Sequence, residues 1–382
     1  MGERFSSLVC ATSLALSIVA GVGCGTVGGK PYVRAYAAGD RAYSAGRFDE
    51  AAHAYEDASK IADRPRDREE ALFSAAESFE RAKEIDAALT LYDQLATPRP
   101  PGERTFYAAY RAAQIRLARG EKEKAYAALE AIFTEAPEEG IAKRALREVV
   151  LHVEETKGKA AAIAYEESIA PKFEGNRLGE ELCYDLGVRK LDIGDANGAL
   201  AGFLSCAQRW PYPIGALFDD SLFHASLLHE QLGDPKAAIA DLERLLAVRE
   251  SSSFNGTYDR PKMAPAQLRI GELQRDRTGD HAGARKSFHK LYTDFATSLL
   301  RPKALFEEAK LAHDDGDEAS ACALANLIID EFGDSRWARR ADDACKAAEP
   351  RAAALRKARE ERRNEKNQKN GENGEADEGN GG

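Results

Sequence analysis

The stretch that decides the fold is Leu191–Phe203, with the sequence LDIGDANGALAGF, in which a Gly-Asp turn separates two apolar, helix-forming segments. Related turns recur at intervals of 36 to 39 residues, with one longer interval of 46; their turn residues are Gly46, Lys83, Gly120, Gly158, Gly194, Gly233, Gly279 and Gly316. A period in this range is typical of a solenoid, in which each unit is too small to bury its own apolar face and stacks on its neighbours. The sequence therefore predicts an all-α solenoid of about eight helix-turn-helix units.

The residues around each turn predict how the two helices of a unit meet. A small residue stands seven positions before most of the turns, as at Gly187, and an alanine stands five positions after seven of the eight turns. Four positions after the alanine comes a large apolar residue, as at Phe203, on the same helical stripe. Four of the turn glycines are followed by an aspartate that can cap the second helix, as Asp195 does. These alanines are Ala51, Ala88, Ala125, Ala199, Ala238, Ala284 and Ala321.

This arrangement resembles the tetratricopeptide repeat (TPR) family from Val33 to about Gly333. The resemblance implies a helix-turn-helix solenoid over residues 32–333 that binds a protein or peptide through the inner face of its first helices. Unit four, Ile141–Ala170, departs from the pattern because Glu166 or Glu167 stands near the large apolar position. The polar segment 250–263 accounts for the one long interval and predicts a loop.

Six aromatic residues share one position on the first helices, three residues before the small residue: Tyr36, Phe73, Tyr110, Tyr184, Phe223 and Phe306. In unit seven Arg269 stands there instead. Two interpretations stay open: core packing between neighbouring first helices, or a groove that grips an extended peptide or a partner helix. The neighbouring inner positions mix charged, polar and apolar residues, which does not indicate a basic clamp for a peptide carboxylate; they are Asp40, Glu77, Gln114, Val188, Leu227, Leu273 and Lys310.

The composition of the N-terminal segment predicts an export signal. The run from Leu8 to Val22 is almost entirely apolar or small, and it is short for a membrane span. The following Gly23-Cys24 resembles the lipobox of bacterial lipoproteins, which implies that residues 1–23 are removed, that Cys24 is lipidated, and that residues 24–31 form a linker. Gly25 after the cysteine implies an outer-membrane location by the rule of that family. An ordinary cleaved signal and a membrane-anchoring N-terminus stay open as alternatives.

The remaining four cysteines are spaced as two pairs, each 23 residues apart: Cys183 with Cys206, and Cys322 with Cys345. Cys183 begins a first helix and Cys206 lies near the end of the antiparallel second helix, so the two ends of a hairpin bring them together. Cys322 and Cys345 have the same relation to the last repeat and the segment after it. In an oxidising compartment we predict two disulfides. The alternative is four buried cysteines that act as small apolar residues.

The C-terminal end changes character twice. Asp330–Ala338 (DEFGDSRWA) resembles the joint of bacterial envelope TPR lipoproteins, and residues 334–348 are predicted as a closing helix. Residues 349–382 have low hydrophobicity and high charge, which predicts a disordered tail that begins with a short basic helix. This tail is either a solubilising segment or a basic contact to anionic lipid, cell-wall polymer or an acidic partner.

The composition bears on function as well. A formal net charge of -10 argues against nucleic-acid binding, which needs a basic surface. The seven histidines form no HExxH pair or recognisable triad, and the sequence has no Gly-rich phosphate loop, so we expect no enzyme, metal or cofactor. The prediction is a non-enzymatic scaffold or adaptor for a protein partner in the bacterial cell envelope, lipid-anchored to the outer membrane and facing the periplasm or cell surface. The alternatives are an envelope enzyme such as a cell-wall hydrolase, and a soluble periplasmic chaperone or regulator with the TPR fold.

Overall fold

In the computed structural model the chain is described over residues 29–98, 100–249 and 259–378. These residues form helices joined by turns and short connections, without a β-strand among them, which confirms the predicted all-α solenoid. The predicted signal, the lipidation site Cys24 and the loop residues 250–258 lie outside the described residues. The helices fall into two compact units, Met1–Val149 and Val150–Gly382.

Unit 1, Met1–Val149, is built from antiparallel helical hairpins. From α1 to α6, consecutive helices pack on each other, as expected for a solenoid. The helices are α1 Lys30–Ser44, α2 Phe48–Lys60, α3 Pro65–Ala82, α4 Ile85–Ala96, α5 Thr105–Ala118 and α6 Lys122–Glu135, followed by the first part of α7 Gly140–Lys157.

Unit 2, Val150–Gly382, continues the same arrangement from the second part of α7 onward. The helices α8 to α16 again pack consecutively, each one on the next within that range. The helices are α8 Lys159–Ile169, α9 Arg177–Asp192, α10 Ala196–Arg209, α11 Phe218–Gln231, α12 Pro235–Leu246, α13 Met263–Leu273, α14 His281–Asp294, α15 Arg301–Asp314, α16 Glu318–Phe332 and α17 Glu349–Glu378. None of the helices within the described ranges combines the length and apolar character needed to cross a bilayer.

The predicted turns are confirmed at all eight positions, because each turn residue has a positive φ. Seven of them are glycines, for which this conformation carries no steric cost. The eighth, Lys83, ends α3 with φ of 71°. The aspartates also behave as predicted: the Asp195 carboxylate accepts a hydrogen bond of 2.8 Å from the Gly198 N–H at the start of α10. Similar caps begin α12, α14 and α16.

The predicted core positions are buried. All seven alanines of the second helices are fully buried, and so are Phe203 and its equivalents Tyr92, Leu129, Leu242 and Phe288. The small residues are needed where the two helices cross: a Cβ on Gly187 would lie 2.8 Å from the Phe203 ring. The large ring of the second helix therefore occupies the space that the missing side chain of the first helix leaves.

The register predicted for α13 is wrong by one residue. The sequence pattern puts the small position seven residues before Gly279, but the residue that approaches Phe288 is Gly271, eight residues before. A π-helix at Gln274–Thr278 inserts one extra residue between the crossing point and the turn.

This shift corrects two predicted positions in the seventh repeat, which consists of α13 and α14. The position equivalent to the aromatic residues is Leu268, which is buried, and not Arg269. Leu273, predicted on the inner face, is also buried in the core of unit 2. Glu272 takes the inner position instead and pairs with Lys303 at 2.8 Å.

The closing segment differs from the predicted helix over 334–348. It forms two 3-10 helices, Ala338–Asp343 and Lys346–Ala348. Ala338, Ala341 and Ala344 are all buried, and their spacing of three residues matches the repeat of a 3-10 helix and not that of an α-helix.

The charged segment after it begins with a helix, as predicted, and this helix, α17 Glu349–Glu378, is longer than the short basic helix expected there. Its composition is rich in Ala, Arg, Lys and Glu, which are strong helix formers. Its first turns are held by packing: Ala352 is buried, and Leu355 lies against the cluster around Ile328 and Ala338.

Candidate partner-binding surface

The three aromatic residues of unit 1 lie on the first helices α1, α3 and α5. Tyr36 on α1 is half-buried, with its ring 4.9 Å from Tyr55 and its hydroxyl 2.9 Å from the Ser74 hydroxyl on α3. Its edge toward solvent remains open. Burial raises the pKa of the Tyr36 hydroxyl, so this side chain is neutral at physiological pH.

The other two aromatic residues of unit 1 differ from each other. Phe73 is only 7% exposed; its ring stands edge-on to Tyr92, with centroids 5.7 Å apart, and Arg104 covers it at 5.0 Å. Tyr110 is half-buried and donates a hydrogen bond of 3.2 Å to Glu148 on α7. Phe73 is therefore part of the core, whereas Tyr36 and Tyr110 keep a surface that another molecule can touch.

An open cavity of about 550 Å³ lies beside Tyr36, and we name it the N-terminal groove. One wall is the exposed face of α1, where Val33 is 44% exposed. The opposite wall is the start of α3 and the residue before α5. The lining residues are Tyr32, Val33, Tyr36, Ala37, Asp40, Arg64, Arg66, Asp67, Glu70 and Arg104.

The charges of the N-terminal groove are matched within the protein. Arg64 makes two hydrogen bonds of 2.8 Å to Asp67, and Arg104 donates one of 2.6 Å to Glu70. Three basic and three acidic side chains line the cavity in all. A groove with an apolar, aromatic wall and no net charge suits uncharged side chains and the backbone groups of an extended peptide.

The carboxylate of Asp40 at the rim is held as well. It accepts a hydrogen bond of 2.7 Å from the Tyr55 hydroxyl. Since Tyr55 itself packs on Tyr36, this bond fixes the rotamers of two neighbouring rings. The wall formed by α1 is thus rigid before any ligand arrives, which lowers the entropic cost of binding.

In unit 2 the equivalent aromatic residues are covered by other side chains. Tyr184 lies between Phe203 and His224, with ring centroids 5.5 and 5.8 Å away, and burial raises its pKa to about 12. The ammonium group of Lys262 sits 5.2 Å above Phe223. Phe306 is 2% exposed and packs on Trp337 at 4.9 Å.

The six aromatic residues therefore do not form a uniform stripe. Phe73 and Phe306 were predicted to bind a partner, but side chains this deeply buried offer no surface; the core interpretation applies to both. Tyr36, Tyr110, Tyr184 and Phe223 are half-buried, and partner binding by them stays a prediction. Sequence reasoning missed Val33, although it lies one turn before Tyr36 on the same face of α1.

Both predicted cysteine pairs are disulfide-bonded in the structure, and both lie in unit 2. Cys183 on α9 joins Cys206 on α10 with Cα atoms 5.8 Å apart, and Cys322 on α16 joins Cys345 with Cα atoms 5.0 Å apart. The second bond ties the 3-10 segment to the last repeat, which closes the end of the solenoid.

Several histidines are paired with acidic residues inside unit 2. His229 lies 2.7 Å from Asp241, and His289 lies 3.2 Å from Glu308. Each pair joins two neighbouring helices, which accounts for these histidines as structural residues. Across the described ranges, no group of three or more potential metal ligands lies together.

Comparison with known proteins agrees with this architecture. A sequence profile described as "Tetratricopeptide repeat" matches residues 36–103 and 223–298, one segment in each compact unit. These two matches support the resemblance to the TPR family, whose members are generally non-catalytic interaction scaffolds. No curated protein sequence matches the chain significantly.

Several solved structures are similar to the chain at low identity. The C-terminal part of a TPR repeat-containing protein from Cytophaga hutchinsonii is 12% identical, covers 81% of this chain and 98% of its own, and has a TM-score of 0.37. A TPR protein from Parabacteroides merdae is 14% identical, covers 72% of this chain and 98% of its own, and has a TM-score of 0.32. Pseudomonas aeruginosa PilF is 16% identical, covers 61% of this chain and 94% of its own, and has a TM-score of 0.35.

Proposed function

We propose that this protein is a non-enzymatic scaffold that holds an extended segment of a partner protein in the N-terminal groove. The TPR fold supports an interaction scaffold in general. The observation that carries the specific proposal is the groove itself, an open cavity with a rigid aromatic wall and internally matched charges. The partner would lay its backbone along α1 and insert an apolar side chain beside Val33 and Tyr36.

A peptide selection on the full chain tests this function and does not require the partner to be identified. A random-peptide display library is selected on the purified protein, and the enriched peptides are expected to carry an aliphatic or aromatic residue at a fixed position. A photo-crosslinking amino acid at Val33 should then attach to the peptide. The same amino acid at Ile61 is the matched control, because Ile61 is a 46% exposed aliphatic residue outside the groove. Crosslinking at both positions alike, or no enrichment, would contradict the proposal.

We further propose that the protein works in a bacterial cell envelope, anchored to the outer membrane through a lipidated Cys24. The support is the apolar run from Leu8 to Val22, which ends two residues before this cysteine. A protein with several acyl chains on its first residue would be stably membrane-bound. Cys24→Ala should abolish labelling by a radioactive fatty acid and leave an unprocessed precursor. Cys10→Ala is the matched control, and equal labelling of both variants would rule the anchor out.

A further inference from the structure

The first turns of α17 are fixed on the end of the solenoid. They pack against the 3-10 helix Ala338–Asp343. The Arg356 guanidinium donates hydrogen bonds to the Asp342 carboxylate at 2.9 Å and to the Arg339 carbonyl at 2.6 Å. This contact brings the basic side of α17 next to another arginine, Arg339, which lies outside the basic tail in sequence.

Arg339 and Arg362 both contact Asp334, and Arg359 lies one helical turn before Arg362 on α17; we name these three residues the arginine cluster. Arg339 donates to the Asp334 carbonyl at 2.8 Å, and Arg362 donates to the Asp334 carboxylate at 3.3 Å. Arg359 lies three residues before Arg362 on the same face of α17. Partial burial and the charges of Arg359 and Arg362 lower the pKa of Arg339, while Asp334 partly offsets them.

The neighbouring basic residues differ from the arginine cluster because each has its own carboxylate. Arg340 pairs with Asp343 at 2.8 Å, Arg351 pairs with Asp330, and Lys357 lies 4.0 Å from Glu361. In the cluster, Arg362 pairs with the Asp334 carboxylate, which is itself 95% exposed, whereas Arg339 donates to the carbonyl oxygen of the same residue. These four side chains have a formal excess of two positive charges.

We propose that the arginine cluster binds a phosphate group in its dianionic form. Guanidinium groups match phosphate oxygens by paired hydrogen bonds, which a point charge such as lysine does not provide. A phosphate monoester or terminal phosphate carries about -1.5 to -2 charges at neutral pH, which balances the excess. Such a ligand would relieve the repulsion among the three arginines. This site is separate from the N-terminal groove and does not depend on the function proposed for it.

The test is a titration of the full chain with tripolyphosphate, followed by calorimetry. Arg359→Gln should weaken binding about tenfold, since one charge-assisted hydrogen bond is lost. Lys357→Gln is the matched control: it removes the same charge from the same helix two residues away, and should change affinity by less than about twofold because exposed charges are screened by salt.

Thermal melting separates a binding role from a structural one. Arg359→Gln should not lower Tm, because it removes a repelled charge, whereas Arg356→Gln should lower Tm by breaking the bonds to Asp342. Tripolyphosphate should raise the Tm of the native protein and raise it less for Arg359→Gln. A drop in Tm for Arg359→Gln as large as for Arg356→Gln would overturn the proposal.

A vesicle arm distinguishes a phosphate site from general attraction to a membrane. Vesicles of phosphatidylcholine with phosphatidylglycerol present phosphodiesters with a single charge. On the proposal, tripolyphosphate binds the protein and displaces it from any such vesicle. Binding to the vesicles alone, or equal affinities of Arg359→Gln and Lys357→Gln for tripolyphosphate, would contradict a phosphate site.

Discussion

The same repeat position has different surroundings at Tyr36 in unit 1 and at Phe306 in unit 2. In unit 1, Tyr36 borders an open groove and its ring is held by Tyr55 and Ser74. In unit 2, Phe306 at the equivalent position is sealed under Trp337, and the Cys322–Cys345 disulfide ties down the segment that carries that tryptophan. One position in the repeat can therefore serve either the surface or the core, depending on what packs over it.

The difference also shows how each unit is stabilised. Both disulfides of the described residues are in unit 2. Both units also join their repeats by ion pairs between neighbouring helices, such as Arg111 with Glu80 at 2.7 Å in unit 1 and Lys303 with Glu272 at 2.8 Å in unit 2. Partly exposed pairs of this kind add little stability each. Among the described residues, the two disulfides therefore give unit 2 a covalent stabilisation that unit 1 lacks.

The largest expected effect comes from truncating the sealed aromatic residue. Phe306→Ala should cost about 3 to 5 kcal/mol in unfolding free energy, because it leaves a cavity among Leu305, Ile328 and Trp337. Tyr110→Ala at the same repeat position should cost clearly less, because that ring is half-exposed. Urea denaturation of both variants checks this. Equal losses would show that the two positions are both core.

Removing a disulfide should have the next largest effect. The double variant Cys322→Ser/Cys345→Ser removes the bond between two residues that are 23 positions apart in the sequence. Its unfolding free energy should fall by about 3 kcal/mol, if the constraint on the unfolded chain dominates. Denaturation under oxidising and reducing conditions measures it. The native protein should respond to reductant, and a variant without any of the four cysteines should not. No response of the native protein would mean that the bridges do not stabilise the fold.

The repeat was predictable because it rests on local chemistry. Positive φ at the turns requires glycine or a tolerant residue, and Lys83 was found by its spacing alone. Buried alanines and capping aspartates follow from the same period. The register of α13 was not predictable, because nothing in the sequence around Gln274 signals that the backbone adds a residue as a π-helix.

The candidate site was only half predictable for a related reason. Sequence spacing places a side chain on a face, but not what covers that face. The cover of Phe306 comes from Trp337, which belongs to a segment predicted as α-helix and found as 3-10 helix. Likewise the groove beside Val33 depends on where the start of α3 lies, which is a tertiary contact.

A smaller effect on stability is expected from a change of pH, through a buried glutamate in the fourth repeat, Ile141–Ala170. Glu166 on α8 is 2% exposed and occupies the position that an apolar residue fills in other repeats. Arg189 Nε lies 3.1 Å from its carboxylate but is not aligned for a hydrogen bond, and Arg189 also contacts Glu154. Burial outweighs this attraction, and with Asp185 nearby it raises the pKa of Glu166 to about 7.

Because the pKa of Glu166 is raised in the folded protein, the sign of the pH effect on stability is fixed. Between the ordinary pKa near 4.5 and about 7, the folded protein holds a proton that the unfolded chain has released. Stability should therefore fall as pH rises through this window, by about 1 to 3 kcal/mol. Glu166→Gln stays neutral and should lack this loss, so unfolding of both proteins at pH 5 and pH 8 isolates it. Parallel pH profiles would show that Glu166 is already ionised in the fold.

The central claim is that the N-terminal groove is an open binding surface, and paired surface substitutions test it most directly. Val33→Glu places a charge in the groove, whereas Ile61→Glu places the same charge on an equally exposed aliphatic position outside it. Both should change stability by less than about 0.5 kcal/mol, as surface substitutions do.

The measurement is the affinity of a groove-selected peptide for each variant. We predict a loss of at least about tenfold for Val33→Glu, as for a contact near the centre of an interface, and no change for Ile61→Glu. Equal affinity of both variants would contradict the account.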